Sequence, residues 1–231
     1  MSTREIIIVS HNSHLSSADP SGWDQLFNTY QEVGIAESSG RHRLNKRRSV
    51  LRLVPKGRTG AEIGVFTGLF APILAEVCKP KKLFLVDPWD KLHGSHFPNW
   101  GAYTNHVRVP TAGAQQAAAI RAKEMDCDCE VVKEFSTEWL KSLSPNALDW
   151  VYLDASHKFE DVVADLKHID TILSDDGIIL GDDCWISNNG QVGEIYNALY
   201  AFCEHEEYAL LHLDEYGQWA IKRKRDIVSR R

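Results

Sequence analysis

The sequence predicts an α/β fold in which a mostly parallel β-sheet carries helices on both faces and ends in an antiparallel C-terminal hairpin. Three observations predict it: an apolar run that ends at Asp154, a helical apolar pattern after it, and a second apolar run that ends at Asp182. Continuous apolar runs of this length are typical of parallel strands buried on both faces. Residues 148–184 are therefore predicted to form a strand–helix–strand unit.

The helix of this unit is predicted from apolar residues at helical spacing, which give it one buried face. These residues are Phe159, Val162, Val163, Leu166, Ile169 and Leu173. Ser156 is a candidate N-cap, and Gly177 is a candidate stop after a polar stretch.

Three carboxylates are predicted to converge where the two strands of the unit end. Asp154 follows the first strand, and Asp182 and Asp183 follow the second. Adjacent strands lie about 4.8 Å apart, and ligands of open α/β sheets bind at the carboxyl ends of the strands. An oxygen-only cluster suits a divalent cation such as Mg²⁺. Because successive strand residues point to opposite faces, Asp182 and Asp183 can share an ion only if the chain leaves the strand there.

An earlier strand, running into a glycine turn, is predicted at residues 61–68, and a helix with Pro72 in its first turn follows it. The next buried strand, residues 82–86, ends on Asp87, 25 residues after Glu62. That spacing is close to the distance at which a nucleotide-binding fold places its ribose-binding carboxylate. The turn itself contains Gly64 and Gly68.

The glycine turn favours S-adenosylmethionine (SAM) over a dinucleotide. A dinucleotide site needs a second glycine two residues after the first so that the backbone can approach a pyrophosphate. Phe66 stands at that position. SAM has an adenosine and no phosphate, so it tolerates this bulk, with its ribose hydroxyls near Asp87 and its amino-acid end near Gly64 and Glu62.

A lid-like insertion is predicted at residues 88–110, because so long a connection between strands is commonly functional. It is rich in aromatic and histidine residues, and we interpret His93 and His96 as lid or surface residues rather than metal ligands. A helix is predicted at residues 112–125, a strand at 129–134, and a short helix from Ser136, which is a candidate adenine contact.

The two ends of the chain are predicted to differ in organisation. A helix at residues 194–203 precedes two strands, residues 208–213 and 218–222, which form the terminal hairpin. Residues 1–48 form an N-terminal extension with a short strand-like run, an amphipathic helix at 23–33 and a basic connector. Residues 49–231 form the main domain.

Four segments together resemble the class I SAM-dependent methyltransferases. They are AEIGVFTG, LVDPW, YLDASHKFEDVVADL and GIILGDD. Within that class the chain is most similar to a bacterial branch related to macrolide-sugar O-methyltransferases and, more distantly, to catechol O-methyltransferase. The resemblance covers residues 51–222 and implies a Rossmann-like sheet of seven strands, the last of them antiparallel. It also implies that Glu62, Gly64 and Asp87 hold the cofactor and that Asp154, Asp182 and Asp183 hold a divalent ion.

His157 is the candidate general base, because the resemblance places a lysine or histidine three residues after the first metal aspartate. A histidine at the start of a helix and beside a divalent ion would stay neutral near pH 7, because both positive charges disfavour imidazolium. A neutral imidazole can accept a proton. One departure from the catechol enzymes is Phe70, which replaces a small hydroxyl residue that contacts the methionine end.

Composition excludes several other classes of function. The net charge of −6 over 231 residues gives no basic face for nucleic acid, and we interpret the basic clusters at 41–43 and 46–48 as solvated surface. Five cysteines fit reduced thiols of a cytoplasmic protein. No apolar run reaches membrane-spanning length. The sequence is compatible with a homo-oligomer and does not fix the oligomeric state.

The predicted activity is SAM-dependent, divalent-metal-dependent O-methylation of a hydroxylated small molecule, such as a sugar or secondary metabolite. His157 and Asp154 are the predicted catalytic residues. Four alternatives stay open: a nicotinamide-dependent oxidoreductase, a metal-dependent glycosyltransferase, a non-catalytic SAM-binding module, and a metal-free methyltransferase that acts on another atom.

Overall fold

A computed structural model describes residues 44–104, 106–187 and 189–228. The strand-like run and the amphipathic helix predicted in the N-terminal extension lie outside these residues. The strands of the described part are β1 (Thr59–Ile63), β2 (Lys82–Val86), β3 (Asp128–Val132), β4 (Leu148–Leu153), β5 (Leu173–Gly181), β6 (Tyr208–Leu213) and β7 (Trp219–Arg223). The α-helices are α1 (Arg48–Leu51), α2 (Ala71–Cys78), α3 (Asp90–His93), α4 (Thr111–Glu124), α5 (Ser136–Ser142), α6 (Phe159–Ile172), α7 (Glu194–His205) and α8 (Lys224–Val228), with a 3₁₀ helix at Gly101–Thr104.

The described strands form one seven-stranded sheet in the order β3-β2-β1-β4-β5-β7-β6. Strands β1 to β5 pair in parallel, and β7 runs antiparallel to both β5 and β6. The predicted fold class, including the antiparallel terminal hairpin, is confirmed. Because β1 and β4 are adjacent at the centre of the sheet, the glycine turn and the Asp154 loop emerge side by side.

The central strand β4 shows why its sequence is apolar at every position from Trp150 to Leu153. Trp150 and Tyr152 pack into the core on one face of the sheet, and Val151 and Leu153 pack into the core on the other. All four side chains are buried. Each large apolar side chain that is buried contributes about 1.5–3 kcal/mol to folding, so β4 stabilises both layers of helices at once.

Two predicted features of the central unit are wrong in detail. Helix α6 begins at Phe159, and its N-cap residue is Lys158, which makes no side-chain capping bond. The Ser156 hydroxyl instead donates to Asp161 Oδ2 at 2.6 Å. Gly177 does not stop the helix, because α6 ends at Ile172 and Gly177 lies within β5. A Cβ on Gly177 would collide with Leu173, which explains a glycine inside this strand.

None of the helices in the described part of the chain has the length and apolarity needed to cross a bilayer.

Candidate active site at the carboxyl edge of the sheet

Four parallel strands end in register and create one edge, which we call the carboxyl edge. Ile63 of β1 is paired with Val86 of β2 and with Leu153 of β4. Leu153 is in turn paired with Gly181 of β5. The residues that follow these strands, namely Gly64, Asp87, Asp154 and Asp182, therefore leave the sheet at the same level. Of the other predicted site residues, Asp183 and His157 lie on loops that extend from this edge, Glu62 lies within β1, Ser136 begins α5, and Gly68, at the end of the glycine turn, faces α4.

The glycine turn packs directly on the Asp154 loop. Gly64 has φ +90°, and a Cβ there would collide with the backbone carbonyl of Asp154. The Gly64 N–H donates to Val86 O at 2.9 Å, and the Asp154 N–H donates to Ile63 O at 2.8 Å. Gly68 also has positive φ, and its position faces Ala118 of α4. Only glycine therefore allows the turn to approach both neighbours so closely.

Asp87 holds the glycine turn in place. Its Oδ2 accepts hydrogen bonds from the N–H groups of Val65 and Phe66, both at 2.9 Å, and its Oδ1 accepts one from Trp89 N–H at 2.8 Å. Burial raises the pKa of Asp87, and these hydrogen bonds oppose the shift. A carboxylate has about four acceptor positions, so room for one further donor is left. Binding of a ribose hydroxyl by Asp87 stays a prediction.

Glu62 is a buried carboxyl group beside the turn. Its side chain is 2% exposed, and Oε2 has no hydrogen-bond partner among the described residues. Burial raises its pKa well above the ordinary value, and the Arg47 charge opposes that rise. A buried acceptor without a donor is costly. A bound ammonium group would supply the missing donor, so this position fits the amino-acid end of SAM.

Arg47 is buried between two carboxylates of the edge. Its Nη1 lies 2.8 Å from Asp154 Oδ2, and its Nη2 forms an ion pair with Asp182 Oδ2. Its guanidinium lies 5.0 Å from the centroid of the Phe70 ring and 5.9 Å from that of Tyr152. Burial lowers the pKa of Arg47, but the charges of Asp154, Tyr152 and Asp182 together raise it by more, so the net shift of the pKa is upward.

The interpretation of Arg47 as solvated surface is wrong, because this side chain is only 6% exposed. One sequence signal could have identified it. Val50, Leu51 and Val54 are all buried, and they follow Arg47 at intervals of three, four and seven residues. That spacing places Arg47 on the apolar face of its helical segment.

Asp182 faces the interior of the protein. Besides the Arg47 ion pair, its Oδ1 accepts hydrogen bonds from the Gln218 amide and from Asp183 N–H. Gln218 Oε1 accepts a hydrogen bond from the Tyr152 hydroxyl at 2.8 Å, which links β4 to the terminal hairpin. Burial raises the pKa of Asp182 to about 6, and Arg47 opposes the shift. Sequence reasoning missed Gln218, because nothing local shows that residue 218 returns to this edge.

Asp183 and His157 form the exposed mouth of the site. Asp183 has φ +59°, so the chain leaves the strand there, as the sequence analysis required. Asp182 is nevertheless buried, whereas Asp183 is partly exposed and lies beside His157. His157 Nε2 lies 3.2 Å from Asp183 Oδ2 and 3.9 Å from Asp154 Oδ1, and the His157 side chain is 55% exposed.

The carboxylates around His157 determine the direction of its pKa shift. His157 lies two residues before α6 begins at Phe159 and not at the start of the helix as predicted, and its neutrality beside a divalent ion stays a prediction. The carboxylates of Asp154 and then Asp183 raise its pKa, and partial burial opposes them. His157 therefore carries a proton over a wider pH range than a free histidine.

The segment predicted to be a lid, described at residues 88–104 and 106–110, packs on the glycine turn. Phe66 has φ +54°. The centroid of its ring lies 4.8 Å from that of Phe97 and 5.2 Å from that of Tyr103. The Trp89 indole N–H donates to Phe66 O at 2.8 Å. Phe66 is thus the contact between the lid and the edge, which explains the absence of a second glycine.

Comparison with known proteins identifies the family of this fold. A family profile described as a methyltransferase domain matches residues 61–184, which is more than half of the chain. The chain belongs to this methyltransferase family. The matched segment contains every site residue that the sequence predicts, from Glu62 to Asp183. No curated protein sequence matches this methyltransferase significantly.

Solved structures share the fold of the methyltransferase at low sequence identity. A SAM-dependent methyltransferase from Methanococcus maripaludis has a TM-score of 0.56 and 14% identity, covering 93% of this chain and 96% of that one. The ribosomal protein L11 methylase from Lactobacillus delbrueckii subsp. bulgaricus has a TM-score of 0.52 and 16% identity, with 79% of each chain covered. The mitomycin 7-O-methyltransferase MmcR has a TM-score of 0.52 and 12% identity, covering 84% of this chain and 60% of that one.

The structure from Methanococcus maripaludis is named as that of a SAM-dependent methyltransferase. The names of the relatives include both a protein acceptor and an oxygen acceptor. The fold alone therefore does not determine which atom receives the methyl group.

The predicted metal ligands of the methyltransferase do not form one oxygen-only cluster. Asp154, His157 and Asp183 bring one ligand atom each within 4.8 Å of one another, but one of these atoms is a nitrogen, which Mg²⁺ seldom takes. Both Asp182 oxygens accept contacts from Arg47, Gln218 and Asp183 N–H. As arranged, Asp154, Asp182 and Asp183 do not fit the proposed ion, and magnesium stays a prediction.

Ser136 is the first residue of α5, near the carboxyl edge. Its side chain forms a hydrogen bond with the buried carboxyl of Asp165 on α6. Burial raises the pKa of Asp165 to about 6, and this hydrogen bond opposes the rise. Ser136 therefore joins two helices of the methyltransferase. The predicted adenine contact of Ser136 stays a prediction.

Proposed function

We propose that this methyltransferase transfers the methyl group of SAM to a hydroxyl oxygen of a small molecule at the mouth of the carboxyl edge. The observation that carries the proposal is the contact between the glycine turn and the Asp154–His157 loop. Because only glycine fits at residue 64 against the Asp154 carbonyl, the cofactor turn and the candidate base are adjacent. A donor on the turn would lie beside an acceptor that contacts His157.

Four residues are proposed to hold the cofactor. Glu62 offers its buried Oε2, which has no hydrogen-bond partner among the residues that the structure describes, to the ammonium group. Gly64 and Gly68 keep the turn close to its neighbours, and Asp87 fixes the turn through three backbone N–H groups while retaining an acceptor position for a ribose hydroxyl. When bound, SAM supplies a methyl group on a positively charged sulfur.

His157 is the residue proposed to take the proton. Its neutral form accepts the hydroxyl proton of the acceptor at Nε2 while the acceptor oxygen forms a bond to the methyl carbon and the carbon–sulfur bond breaks. The products are a methyl ether and uncharged S-adenosylhomocysteine, and the proton stays on His157. Asp183 and Asp154 stabilise the resulting imidazolium, since His157 Nε2 lies 3.2 and 3.9 Å from their nearest oxygens.

The predicted divalent ion is not needed for this proton transfer. Two of its three proposed ligands, Asp154 and Asp182, are engaged by Arg47 and Gln218, so no step is assigned to a metal. Membership of a methyltransferase family argues against the oxidoreductase and glycosyltransferase alternatives. A non-catalytic SAM-binding module and transfer to another atom are the alternatives that an experiment must separate.

The test combines SAM binding with methyl transfer. Calorimetry with SAM measures binding, and labelled SAM with a panel of hydroxylated small molecules measures transfer. We expect His157→Ala to lose methyl transfer by about 10²–10⁴-fold, the usual contribution of a general base, while its SAM affinity stays unchanged. His205→Ala, at the exposed end of α7, is the matched control and is expected to behave like the wild type.

Two results would contradict the proposal. Equal rates of methyl transfer for His157→Ala and the wild type would contradict the role of His157 as proton acceptor. A labelled product methylated on nitrogen or carbon would contradict the assignment of oxygen as the acceptor atom. It would not affect the assignment of the chain to the methyltransferase family.

A further inference from the structure

Asp154 and Asp182 require a compensating positive charge. Each carboxylate has an oxygen within ion-pair distance of the same guanidinium, so the two negative charges lie close together. Asp182 is 2% exposed, and water screens it poorly. Two carboxylates at this separation, one of them buried and the other partly buried, repel each other strongly unless a cation lies between them. In this structure the cation is Arg47.

Arg47 is held in place by the residues on either side of it. Arg48 pairs with Glu76 at 2.6 Å, and the Ser49 hydroxyl lies 3.0 Å from Asp214 Oδ2. The Lys46 ammonium lies 3.8 Å from the centroid of the Tyr216 ring. These three contacts, one to α2 and two to the turn between β6 and β7, therefore fix the backbone that carries Arg47. The buried guanidinium is part of the folded site and not a surface side chain that reaches inward.

The other atoms around the guanidinium complete this arrangement. The rings of Phe70, at the start of α2, and Tyr152, in β4, lie beside it. Asp154 uses Oδ2 for Arg47, and its second oxygen, Oδ1, lies 3.9 Å from His157 Nε2. Arg47 thus determines which oxygen of Asp154 is turned toward the mouth of the site.

We propose that Arg47 is the resident cation of the carboxyl edge and takes the place that the sequence analysis assigned to a divalent ion. It neutralises Asp154 and Asp182 and acts as a positioning residue for the Asp154 carboxylate beside His157. Its effect on His157 rests on the proposed function, whereas its role as the cation does not. A divalent ion at the same carboxylates would have to displace a guanidinium of like charge, and guanidinium does not lose its charge at any pH that proteins tolerate.

The test measures metal binding directly, with Mn²⁺ as the probe. Electron paramagnetic resonance of the full-length protein with SAM gives the bound Mn²⁺ per chain for the wild type, Arg47→Ala and Arg47→Lys. We expect no stoichiometric Mn²⁺ in the wild type or in Arg47→Lys, which keeps the positive charge. We expect one Mn²⁺ per chain in Arg47→Ala, and its loss in the double variant Arg47→Ala/Asp182→Asn.

A wild-type protein that binds one Mn²⁺, and loses it in Asp154→Asn or Asp182→Asn, would overturn the proposal. A folded Arg47→Ala that takes up no Mn²⁺ would overturn it as well. If circular dichroism shows that Arg47→Ala does not fold, Arg47→Gln replaces it, because it removes the charge and keeps a polar side chain. The wild-type measurement is decisive in either case.

Activity gives an independent second readout. If the proposed function is correct, methyl transfer by the wild type is unchanged in a chelator, and Arg47→Lys retains more of it than Arg47→Gln. If no acceptor is methylated by the wild type, the proposed function fails, while the Mn²⁺ result still decides the role of Arg47.

Discussion

His157 Nε2 lies 3.2 Å from Asp183 Oδ2. Asp183 follows the buried Asp182 and has φ +59°. This pairing gives the imidazole a carboxylate partner that faces solvent rather than the interior. Together with Asp154 it raises the pKa of His157 above that of a free histidine. The direction of this shift determines the pH dependence expected of the enzyme.

The rate of methyl transfer is expected to increase with pH through a pKa above 6.5. Neutral His157 is the form that accepts a proton, and the Asp154 and Asp183 carboxylates favour the protonated form. Asp183→Asn removes one of these charges, so the rising limb is expected to move to lower pH. The measurement is kcat/KM as a function of pH, with exposed Asp175→Asn as the control. A rising limb that stays at the same pH in Asp183→Asn would contradict an effect of the Asp183 charge on the pKa of His157.

The stability of the protein is expected to decrease as the pH rises from about 4 to about 6, because of Asp165. Burial raises the pKa of this carboxyl to about 6, and its Oδ1 has no hydrogen-bond partner among the described residues. A raised carboxyl pKa stabilises the fold below the unfolded-state value of about 3.9, and this stabilisation is lost as pH rises through the folded-state pKa.

Asp165→Asn is therefore expected to be more stable than the wild type above pH 6, by on the order of 2–3 kcal/mol. The two proteins should become similar below pH 4, where Asp165 is protonated in both states. Urea denaturation at pH 4 and pH 8 measures the difference. Glu160→Gln, at an exposed position of the same helix, should show no such pH dependence.

Gly64→Ala is expected to destabilise the protein by more than the conformational strain alone. The residue has φ +90°, and a Cβ would also meet the Asp154 carbonyl. Gly57→Ala is the matched control, because Gly57 has φ +73° and no atom lies within 4 Å of its added Cβ. The control should lose about 1 kcal/mol, and Gly64→Ala at least about 2 kcal/mol more. Equal losses in urea denaturation would show that the close approach is unimportant.

Asp87→Ala is expected to lose both stability and cofactor affinity. It leaves the N–H groups of Val65, Phe66 and Trp89 without their acceptor, and each unsatisfied buried donor costs about 1–3 kcal/mol. Asp87→Asn keeps an acceptor oxygen and should retain much of the stability. Thermal melts and SAM titrations of both variants check this. An unchanged SAM affinity in a folded Asp87→Asn would argue against a charged contact to the ribose.

Local patterns predicted the elements well. The bounds of β2 and β6 agree with the predicted runs residue for residue, because each is a short apolar segment with polar residues on both sides. The helix after β4 was predicted from its apolar face, and α6 occupies that segment. In contrast, Gly177 was misassigned, since a glycine that makes room for the Leu173 side chain within β5 resembles a helix stop in sequence.

The polar contacts of the site were not predictable in the same way. Asp154 and Asp182 were placed on one edge by topology alone, but their partners Arg47 and Gln218 come from opposite ends of the described chain. Charge compensation depends on which distant side chain reaches a buried group. Sequence spacing carries no information on that choice unless a helical face, as at Arg47, points inward.

The bond from the Gln218 amide to Asp182 has a consequence for biosynthesis. Gln218 lies directly before β7, whereas Asp182 follows β5. During translation the carboxylate emerges from the ribosome well before the amide that binds it. The nascent chain therefore cannot complete the polar network around Asp182 until residue 218 has been synthesised. The candidate site is expected to form only after that residue has left the ribosome, whatever order the preceding strands fold in.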